Sequence, residues 1–267
     1  MPRFSANLWY LFQDMPMPDR FQAAREAGFR AVEFHFPYQW PGSDLAGCLD
    51  EHGLEQVLIN APPGDWEAGE RGIAALPGRE GEFRESLGLA IEYAETLNCP
   101  QIHVMAGLVD EAGRSKALDT FRENLSFAAT ECERHGVAML IEALNPVDVP
   151  GYLISDTEAA RAVVDTVDHD NLFLQYDLYH GAMNGEDMAS VIEANLDVIG
   201  HMQVAGVPGR HEPDDRCPLD YPALFRAIDG LGYEGWIGCE YSPRSGGSGT
   251  LESLGWATEY GLGALAP

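Results

Sequence analysis

Positive charge is scarce in this chain. Of its 267 residues, 43 are acidic and only 16 are basic, which gives a formal net charge of −27 at pH 7. A surface this acidic repels the phosphate backbone of nucleic acids and the headgroups of anionic lipids. We therefore expect no nucleic acid and no membrane as partners, and we attribute the acidic excess to a solvated surface.

Lysine is almost absent. Lys116 is the only lysine, and it lies in Arg114-Ser-Lys-Ala-Leu-Asp-Thr120, a predicted helix start that is remote from any predicted strand end. Schiff-base chemistry requires a lysine amine at the reacting centre. The sequence therefore argues against a lysine-dependent aldolase and against pyridoxal phosphate as a cofactor.

Paired cysteines and long hydrophobic runs are also missing. The five cysteines include no C-x-x-C pair, and their odd number is typical of reduced thiols. The apolar patch Leu8–Phe12 is interrupted by Gln13 and Asp14, and it is too short for a signal peptide or a membrane span. These absences predict a cytoplasmic protein.

Short apolar runs with strand character recur along the chain and alternate with helical patterns. We place the eight predicted strands at Phe4–Trp9, Ala31–Phe36, Gln56–Asn60, Gln101–Ala106, Ala138–Ala143, Leu172–Asp177, Gly200–Ala205 and Gly235–Tyr241. The helical patterns between them include Asp19–Ala27, Arg79–Leu97, Lys116–His135, Asp156–Val167 and Tyr221–Leu231. Eight such repeats favour a (β/α)8 TIM barrel over a doubly wound sheet.

A single domain over residues 1–267 follows from the same pattern. The hydrophobic content of 45% is enough for a large core, and no linker or shift in composition divides the chain. The longest irregular segment, Ala61–Pro77, follows the third predicted strand. In a barrel this loop is expected to overhang the active-site face.

Four predicted strands end in a polar residue that can bind a metal ion. Glu142, Asp177, Gln203 and Glu240 lie at the ends of strands 5, 6, 7 and 8. The gaps between them are 35, 26 and 37 residues, close to one strand, one helix and two loops. The carboxyl ends of parallel barrel strands meet at one face, so we expect these four side chains to converge there.

An all-oxygen set of this kind suits a hard divalent ion such as Mg²⁺ or Mn²⁺. Zinc is less favoured because no histidine or cysteine occupies the four ends. Such an ion acts as a Lewis acid on adjacent carbonyl and hydroxyl oxygens. Glu142 and Glu240 can flank a bound carbon chain as proton donor and acceptor, which is what an aldose–ketose isomerisation through an enediolate requires. Gln203 is the weakest member, because it can orient another ligand instead of binding the ion.

Three further residues are candidates for substrate binding. His180 lies just past the sixth strand end, where it can hydrogen-bond a substrate hydroxyl. Arg210 follows strand 7, and Arg71 lies in the long loop after strand 3. In so acidic a protein, a fixed guanidinium at the barrel mouth would attract and orient a substrate carboxylate.

At these residues the chain resembles the hydroxypyruvate isomerase family, within the xylose isomerase-like barrel superfamily. The similar segments span nearly the whole chain and include Gly64-Asp-Trp-Glu-Ala-Gly-Glu-Arg-Gly72, Leu140-Ile-Glu-Ala-Leu-Asn-Pro146, Leu174-Gln-Tyr-Asp-Leu-Tyr-His180, Val207-Pro-Gly-Arg-His-Glu-Pro213 and Gly238-Cys-Glu-Tyr-Ser-Pro243. The first of these is the most specific to hydroxypyruvate isomerases, whereas Gly209-Arg-His-Glu-Pro213 is shared with sugar epimerases.

The resemblance implies a reversible conversion of hydroxypyruvate to tartronate semialdehyde. It implies Glu142 and Glu240 as the acid/base pair, the same two residues with Asp177 and Gln203 as metal ligands, and His180 and Arg210 as substrate contacts. The expected partner is a small hydroxy-carbonyl acid, and a homo-oligomer is left open. Two departures, at Gly181-Ala-Met-Asn-Gly185 and Asp214-Asp-Arg-Cys217, affect the substrate more than the reaction type.

Several alternatives stay open at this point. A 2-oxo-tetronate isomerase or a ketose 3-epimerase would use the same chemistry. The segment Ser245-Gly-Gly-Ser-Gly-Thr250 after strand 8 admits a phosphorylated substrate as a minor hypothesis. A metal-dependent endonuclease would need a histidine-rich zinc cluster and a basic groove, and the paired glutamates disfavour a non-catalytic carbohydrate-binding barrel.

Overall fold

The apolar runs of the sequence form eight parallel strands that close into a barrel, with neighbours in chain order from β1 to β8. The computed structural model describes residues 1–263. The strands are β1 Arg3–Asn7, β2 Ala31–Phe34, β3 Glu55–Asn60, β4 Gln101–His103, β5 Ala138–Glu142, β6 Leu172–Asp177, β7 Ile199–Val204 and β8 Trp236–Cys239. Pairing of Ala6 with Cys239 helps to close the barrel between its first and last strands.

Helices surround the barrel, as the alternating pattern predicts. They are α1 Met17–Glu26, α2 Gly42–His52, α3 Glu80–Thr96, α4 Arg114–Arg134, α5 Thr157–Val167, α6 Leu178–Met183, α7 Met188–Asn195, α8 Tyr221–Gly230 and α9 Thr250–Ser253, with 3-10 turns at Pro37–Gln39, Gly247–Gly249 and Leu254–Tyr260. The predicted (β/α)8 fold is confirmed. The predicted domain end at Pro267 lies outside the described residues.

The structure differs from the predicted strands mainly at their ends. The fourth strand stops at His103 instead of Ala106, and the eighth stops at Cys239, so Glu240 lies just beyond its strand. Single backbone hydrogen bonds continue just past both ends, from the Val104 N–H to the Leu140 carbonyl over 2.9 Å and from the Glu240 N–H to the Val204 carbonyl over 3.1 Å. Among residues 1–263, no helix has both the length and the apolar character needed to cross a bilayer.

The interior of the barrel is unusually polar. Six side chains that hydrogen-bond one another across the strands are at most 5% exposed, namely Ser5, Asn7, Glu33, Gln175, His201 and Gln203. Buried polar groups are costly unless they are paired, so this set must form a connected network. The apolar core lies instead between the barrel and its helices, as where Phe21 of α1 meets Phe34 of β2 with ring centroids 6.0 Å apart.

The long loop between β3 and α3 is tied to the barrel mouth. Gly72 forms an antiparallel bridge with Ala106, and the Ala75 N–H donates to the Ala106 carbonyl over 2.8 Å. Gly72 has φ +107°, and a Cβ there would lie 2.2 Å from the Met105 carbonyl oxygen. This close approach of two backbones requires glycine.

We therefore expect Gly72→Ala to destabilise the protein markedly, because the methyl group strains the backbone and forces the loop away from Met105 and Ala106, just after β4. Gly69→Ala is the matched control, since Gly69 also has a positive φ of 96° but has nothing within 4 Å of an added Cβ. Urea unfolding should show a loss of free energy of unfolding about 2 kcal/mol larger for Gly72→Ala than for Gly69→Ala. Equal losses would show that the approach to Met105 is not tight.

Candidate active site

Three carboxylates lie at the carboxyl ends of barrel strands β5, β6 and β8. Glu142 is the last residue of β5, Asp177 is the last of β6, and Glu240 follows β8. All three side chains are buried. Glu142 and Glu240 line a cavity of about 390 Å³ at the mouth, together with His180, Arg210 and Arg71. The predicted convergence of strand ends therefore brings both glutamates and the three predicted substrate residues to one cavity.

Arg210 connects two of these carboxylates. Its guanidinium donates to Asp177 Oδ2 over 3.1 Å and also to Glu240 Oε2. The group lies over the rings of Tyr179 and Tyr10, with its carbon 4.9 and 5.3 Å from the ring centroids. The backbone of Arg210 has φ 52°, a left-handed conformation that is uncommon for a residue with a side chain. Arg210 is thus fixed as the counter-ion of Asp177 and Glu240.

Glu240 has a second basic partner in His35. The His35 Nε2 atom makes a short contact with Glu240 Oε1, and the His35 ring stacks on Trp9 with centroids 5.6 Å apart. Burial alone would raise the pKa of Glu240, but the charge of Arg210 and the hydrogen bond to His35 lower it to about 2. This environment favours the ionised form of Glu240.

Glu142 has the opposite environment. Its Oε2 accepts a hydrogen bond from Gln175 Nε2 over 3.0 Å, but its Oε1 is buried without a hydrogen-bond partner. Burial raises the pKa of Glu142 well above its usual value, and the negative charges of Glu240 and Asp177 raise it further. Two carboxyl groups at one cavity therefore differ in their affinity for protons.

His180 is held in one tautomer by the backbone. The Asn145 N–H donates to His180 Nδ1 over 3.1 Å, so the proton of the neutral ring must be on Nε2. Burial lowers the pKa of His180 to about 3, and the charge of Arg210 acts in the same direction. Nε2 lies 3.7 Å from Asp177 Oδ2 and 4.0 Å from Glu142 Oε1. His180 thus presents an N–H donor beside the orphaned oxygen of Glu142.

Gln203, the fourth predicted metal ligand, lies in the polar network below the cavity. Its Nε2 donates to Glu33 Oε1 and its Oε1 accepts from Gln175 Nε2, both over 2.7 Å. An amide oxygen has two lone pairs, so one stays available after the bond from Gln175. The arrangement is compatible with both roles that the sequence predicts for Gln203. Its oxygen could bind an ion, or its amide could orient a neighbouring ligand.

The donor set fits a divalent cation. One ligand atom each from Glu142, Asp177 and His180 lie within 4.8 Å of one another. The tautomer argument makes His180 a donor rather than a ligand, which leaves carboxylate oxygens as the binding atoms. The unpartnered Glu142 Oε1 belongs to this group, so it is a buried oxygen that a cation or a substrate donor could bind. Oxygen donors of this type suit Mg²⁺ or Mn²⁺.

Arg71 reaches the cavity from the β3–α3 loop. Its guanidinium stacks on Trp66, 3.8 Å from the ring centroid, and donates to the carbonyl of Glu70 over 2.7 Å. Glu70 in turn pairs with Arg79, and its Oε2 accepts from the Asp65 N–H over 2.6 Å, which braces the loop. Within residues 1–263, Arg71 has no carboxylate within 4.0 Å, whereas Arg210 has two. Arg71 therefore keeps an uncompensated positive charge at the mouth.

The segment Ser245–Thr250 serves the packing of loops. The Thr250 hydroxyl accepts from the Phe12 N–H over 2.9 Å and donates to the Gly247 carbonyl over 2.8 Å. These bonds attach the segment to the loop after β1.

Sequence analysis assigned no role to His35 or His103. Both ring nitrogens of His103 are buried without partners, and Nε2 lies 3.7 Å from Glu142 Oε2. The signal was hidden because the predicted strands run on to Phe36 and Ala106, whereas β2 ends at Phe34 and β4 at His103, which places His103 at a strand end and His35 just past one. Glu33 was also missed, although an acidic residue within the apolar run of β2 is unusual.

Comparison with known proteins gives consistent results. The family model described as the xylose isomerase-like TIM barrel matches residues 21–260. The chain is 49% identical to a 2-oxo-tetronate isomerase of Cupriavidus necator, over 97% of this chain and 99% of the other. It is 40% identical to the hydroxypyruvate isomerase of Escherichia coli, over 97% of this chain and 100% of that enzyme.

Among solved structures, the chain is similar to one from Brucella melitensis described as an AP endonuclease of family 2. The TM-score is 0.94 at 43% identity, over 97% of this chain and 99% of that one. These matches extend over nearly the full length of each protein. They confirm the resemblance inferred from the strand-end motifs, and this chain belongs to the xylose isomerase-like TIM barrel family.

Proposed function

We propose that this protein is an isomerase of short 2-oxo acids that moves a proton between adjacent carbon atoms of its substrate. The observation that carries the proposal is the pair of buried glutamates, Glu142 and Glu240, at one cavity. A substrate held between them exchanges a carbon-bound proton with one glutamate and receives a proton from the other. Its carbonyl and the neighbouring hydroxyl exchange places through an enediolate, without any change in overall composition.

The partners of the two glutamates support different roles. Glu240 is held by Arg210 and His35, which keep it ready to accept a proton. Glu142 has only the Gln175 amide on one oxygen and nothing on the other, so its free oxygen can hold a proton that the intermediate needs. The N–H of His180 lies beside that oxygen and can hydrogen-bond the substrate oxygen on which negative charge develops.

The charge at the mouth supports a carboxylate substrate. Arg71 is uncompensated within the described residues, while Arg210 is already paired with two carboxylates. We assign Arg71 to the substrate carboxylate and Arg210 primarily to Glu240 and Asp177, with contact to substrate hydroxyls. Trp66, which packs under the Arg71 guanidinium, limits the movement of that anchor.

We propose 2-oxo-tetronate as the preferred substrate and hydroxypyruvate as the second. The relative named for 2-oxo-tetronate is 49% identical and the one named for hydroxypyruvate is 40% identical. In either acid a proton leaves C3 and one is added at C2, so the same two glutamates serve both. A ketose 3-epimerase is a weaker alternative, because a neutral sugar gives Arg71 no carboxylate to bind.

A divalent cation fits the proposed reaction. Glu142, Asp177, Gln203 and Glu240 are the residues that would hold it, as the resemblance implies. When bound, Mg²⁺ or Mn²⁺ would supply Lewis acidity that lowers the energy of the enediolate. The residues of the chain then orient the substrate and carry the protons.

We propose no nucleic acid partner for this protein. The net charge of −27 opposes a nucleic acid substrate, so the endonuclease description of the Brucella melitensis structure is not transferred to this chain. A cytoplasmic location, and a homo-oligomer as an open alternative, stay predictions from the sequence.

The test is incubation of the purified protein in deuterated buffer with 2-oxo-tetronate or with hydroxypyruvate, followed by proton NMR. Parallel samples contain Mg²⁺, contain Mn²⁺, or are treated with a chelator. We expect 2-oxo-tetronate to yield its 3-oxo isomer with deuterium at C2, and activity to fall after chelation. Failure of both acids to react or exchange under every metal condition would refute the isomerase proposal.

Substitution of either glutamate should abolish turnover. In Glu142→Gln and Glu240→Gln the amide keeps the size of the side chain but cannot exchange a proton, so kcat should fall by about 10³-fold or more. Asp50→Asn, on the outer helix α2, is the control for loss of one negative charge and should leave kcat unchanged. Normal turnover by either glutamate variant would remove that residue from the proton-transfer pair.

Loss of Arg71 should act on binding. In Arg71→Ala the substrate carboxylate loses its free cation, so KM should rise by about tenfold or more while kcat changes by less than about threefold. Arg84→Ala is the matched control, because Arg84 also stacks on an aromatic ring, that of Phe127, but lies outside the cavity. An unchanged KM in Arg71→Ala would place the carboxylate elsewhere.

A further inference from the structure

We propose that Glu33 is a positioning residue that fixes the direction of the hydrogen bonds reaching both catalytic glutamates. The proposal rests on the isomerase function inferred above, but its structural part can be tested without turnover. Glu33 lies on β2 inside the barrel, below the cavity, and its side chain is fully buried. It does not line the cavity, so it would act only through other side chains.

Four side chains surround the Glu33 carboxylate. Oε1 accepts from Asn7 Nδ2 over 3.0 Å and from Gln203 Nε2 over 2.7 Å. Oε2 accepts from Ser5 Oγ over 2.9 Å and contacts His201 Nε2 at 2.8 Å. A buried carboxylate is tolerated only with such complete pairing, so the barrel contributes four residues from β1 and β7 to hold this one group.

One arm of the network leads from Glu33 to Glu142. Because Glu33 Oε1 accepts, the Gln203 amide must turn its nitrogen toward Glu33 and its oxygen toward Gln175. The Gln203 oxygen in turn fixes the Gln175 nitrogen, which donates to Glu142 Oε2 over 3.0 Å. Glu142 is therefore held from below by a donor, and its other oxygen is left free for the cavity.

A second arm leads from Glu33 to Glu240. The Asn7 nitrogen donates to Glu33 Oε1 over 3.0 Å and approaches Glu240 Oε1 at 3.4 Å. The Asn7 oxygen accepts from the Trp9 N–H over 3.0 Å, so the Asn7 amide cannot rotate without losing bonds at both ends. One oxygen of Glu33 thus orients the Asn7 amide, which contacts Glu240, and the Gln203 amide, which acts on Glu142 through Gln175.

The barrel wall has space for Glu33 only because β8 carries glycine at position 238. A Cβ at Gly238 would lie 2.2 Å from Glu33 Oε1 and 2.4 Å from Oε2. The glycine lies two residues before Glu240, so the strand that delivers Glu240 also admits the carboxylate that orients it. Gly238 therefore makes room for a side chain of this length, and the four polar partners around it match a carboxylate.

The test compares two substitutions of Glu33 that differ in the acceptor. Glu33→Met has a side chain of similar length but no hydrogen-bond acceptor, so the Asn7 and Gln203 amides lose the oxygen that fixes their orientation. We expect kcat to fall by about tenfold or more, with KM within about threefold of the native value. Glu33→Gln keeps a carbonyl oxygen that can replace Oε1, and its amide can donate to the Ser5 hydroxyl. This conservative variant should retain kcat within about threefold of the native protein.

Two further variants separate positioning from stability. Ser5→Ala removes a donor to Glu33 that belongs to neither arm, so it should lower the melting temperature but leave kcat within about twofold. Gln175→Met breaks only the arm to Glu142 and should lower kcat in the same way as Glu33→Met. If Glu33→Met does not fold, Gln175→Met decides, and a native kcat in that variant would overturn the proposal.

The side-chain amide signals of Asn7, Gln175 and Gln203 in ¹⁵N-labelled protein give a readout independent of catalysis. The chemical shifts of these signals should change in Glu33→Met and should be unchanged in Ser5→Ala. A folded Glu33→Met with native kcat, or a Glu33→Gln as impaired as Glu33→Met, would overturn the acceptor role. If the native protein isomerises no hydroxy-oxo acid, the proposed function has failed, and unmoved amide signals in Glu33→Met would then separately refute the positioning role.

Discussion

The barrel depends on the pairing of carboxylates that it removes from water. Glu33, Glu142, Asp177 and Glu240 are all buried within or at the mouth of one set of strands, where an unpaired charge would be prohibitive. Arg210 compensates two of them, and four polar side chains surround a third. Of these four carboxylates, only Glu142 keeps an oxygen without a partner among the described residues, and that oxygen lies 4.0 Å from His180 Nε2. The pairing that stabilises the buried carboxylates is thus incomplete only at a residue that we propose to be catalytic.

The position of each partner follows from the geometry of a parallel barrel. Strand ends converge at one face, so residues far apart in sequence, such as Glu142 and Glu240, meet without any special loop. Alternation along each strand then stacks a second polar layer directly beneath the first, which is how Gln203 of β7 lies over Glu33 of β2. The arrangement links the carboxylates at the barrel mouth to a hydrogen-bonded layer of polar side chains beneath them.

The sequence predicts the strands and their polar ends well, because eight apolar runs at regular spacing have few other solutions. It predicts the network poorly. His35 and Glu33 act through contacts between strands that are distant in sequence, and nothing in the local pattern around either residue names its partner. The sequence favours Arg210 over Arg71 as the substrate contact, but their roles depend on which one is already paired. That pairing follows only from the positions of Asp177 and Glu240 in space.

The β3–α3 loop has a consequence for how this protein family can diversify. Arg71 and Trp66 belong to a segment that is braced by its own Glu70–Arg79 pair and attached at Gly72 to the chain just after β4. The glutamates that we propose to transfer protons, Glu142 and Glu240, lie at the ends of other strands. The length and composition of this segment can therefore change during evolution without disturbing the residues at the strand ends. Substrate range and reaction type can then evolve independently within one barrel.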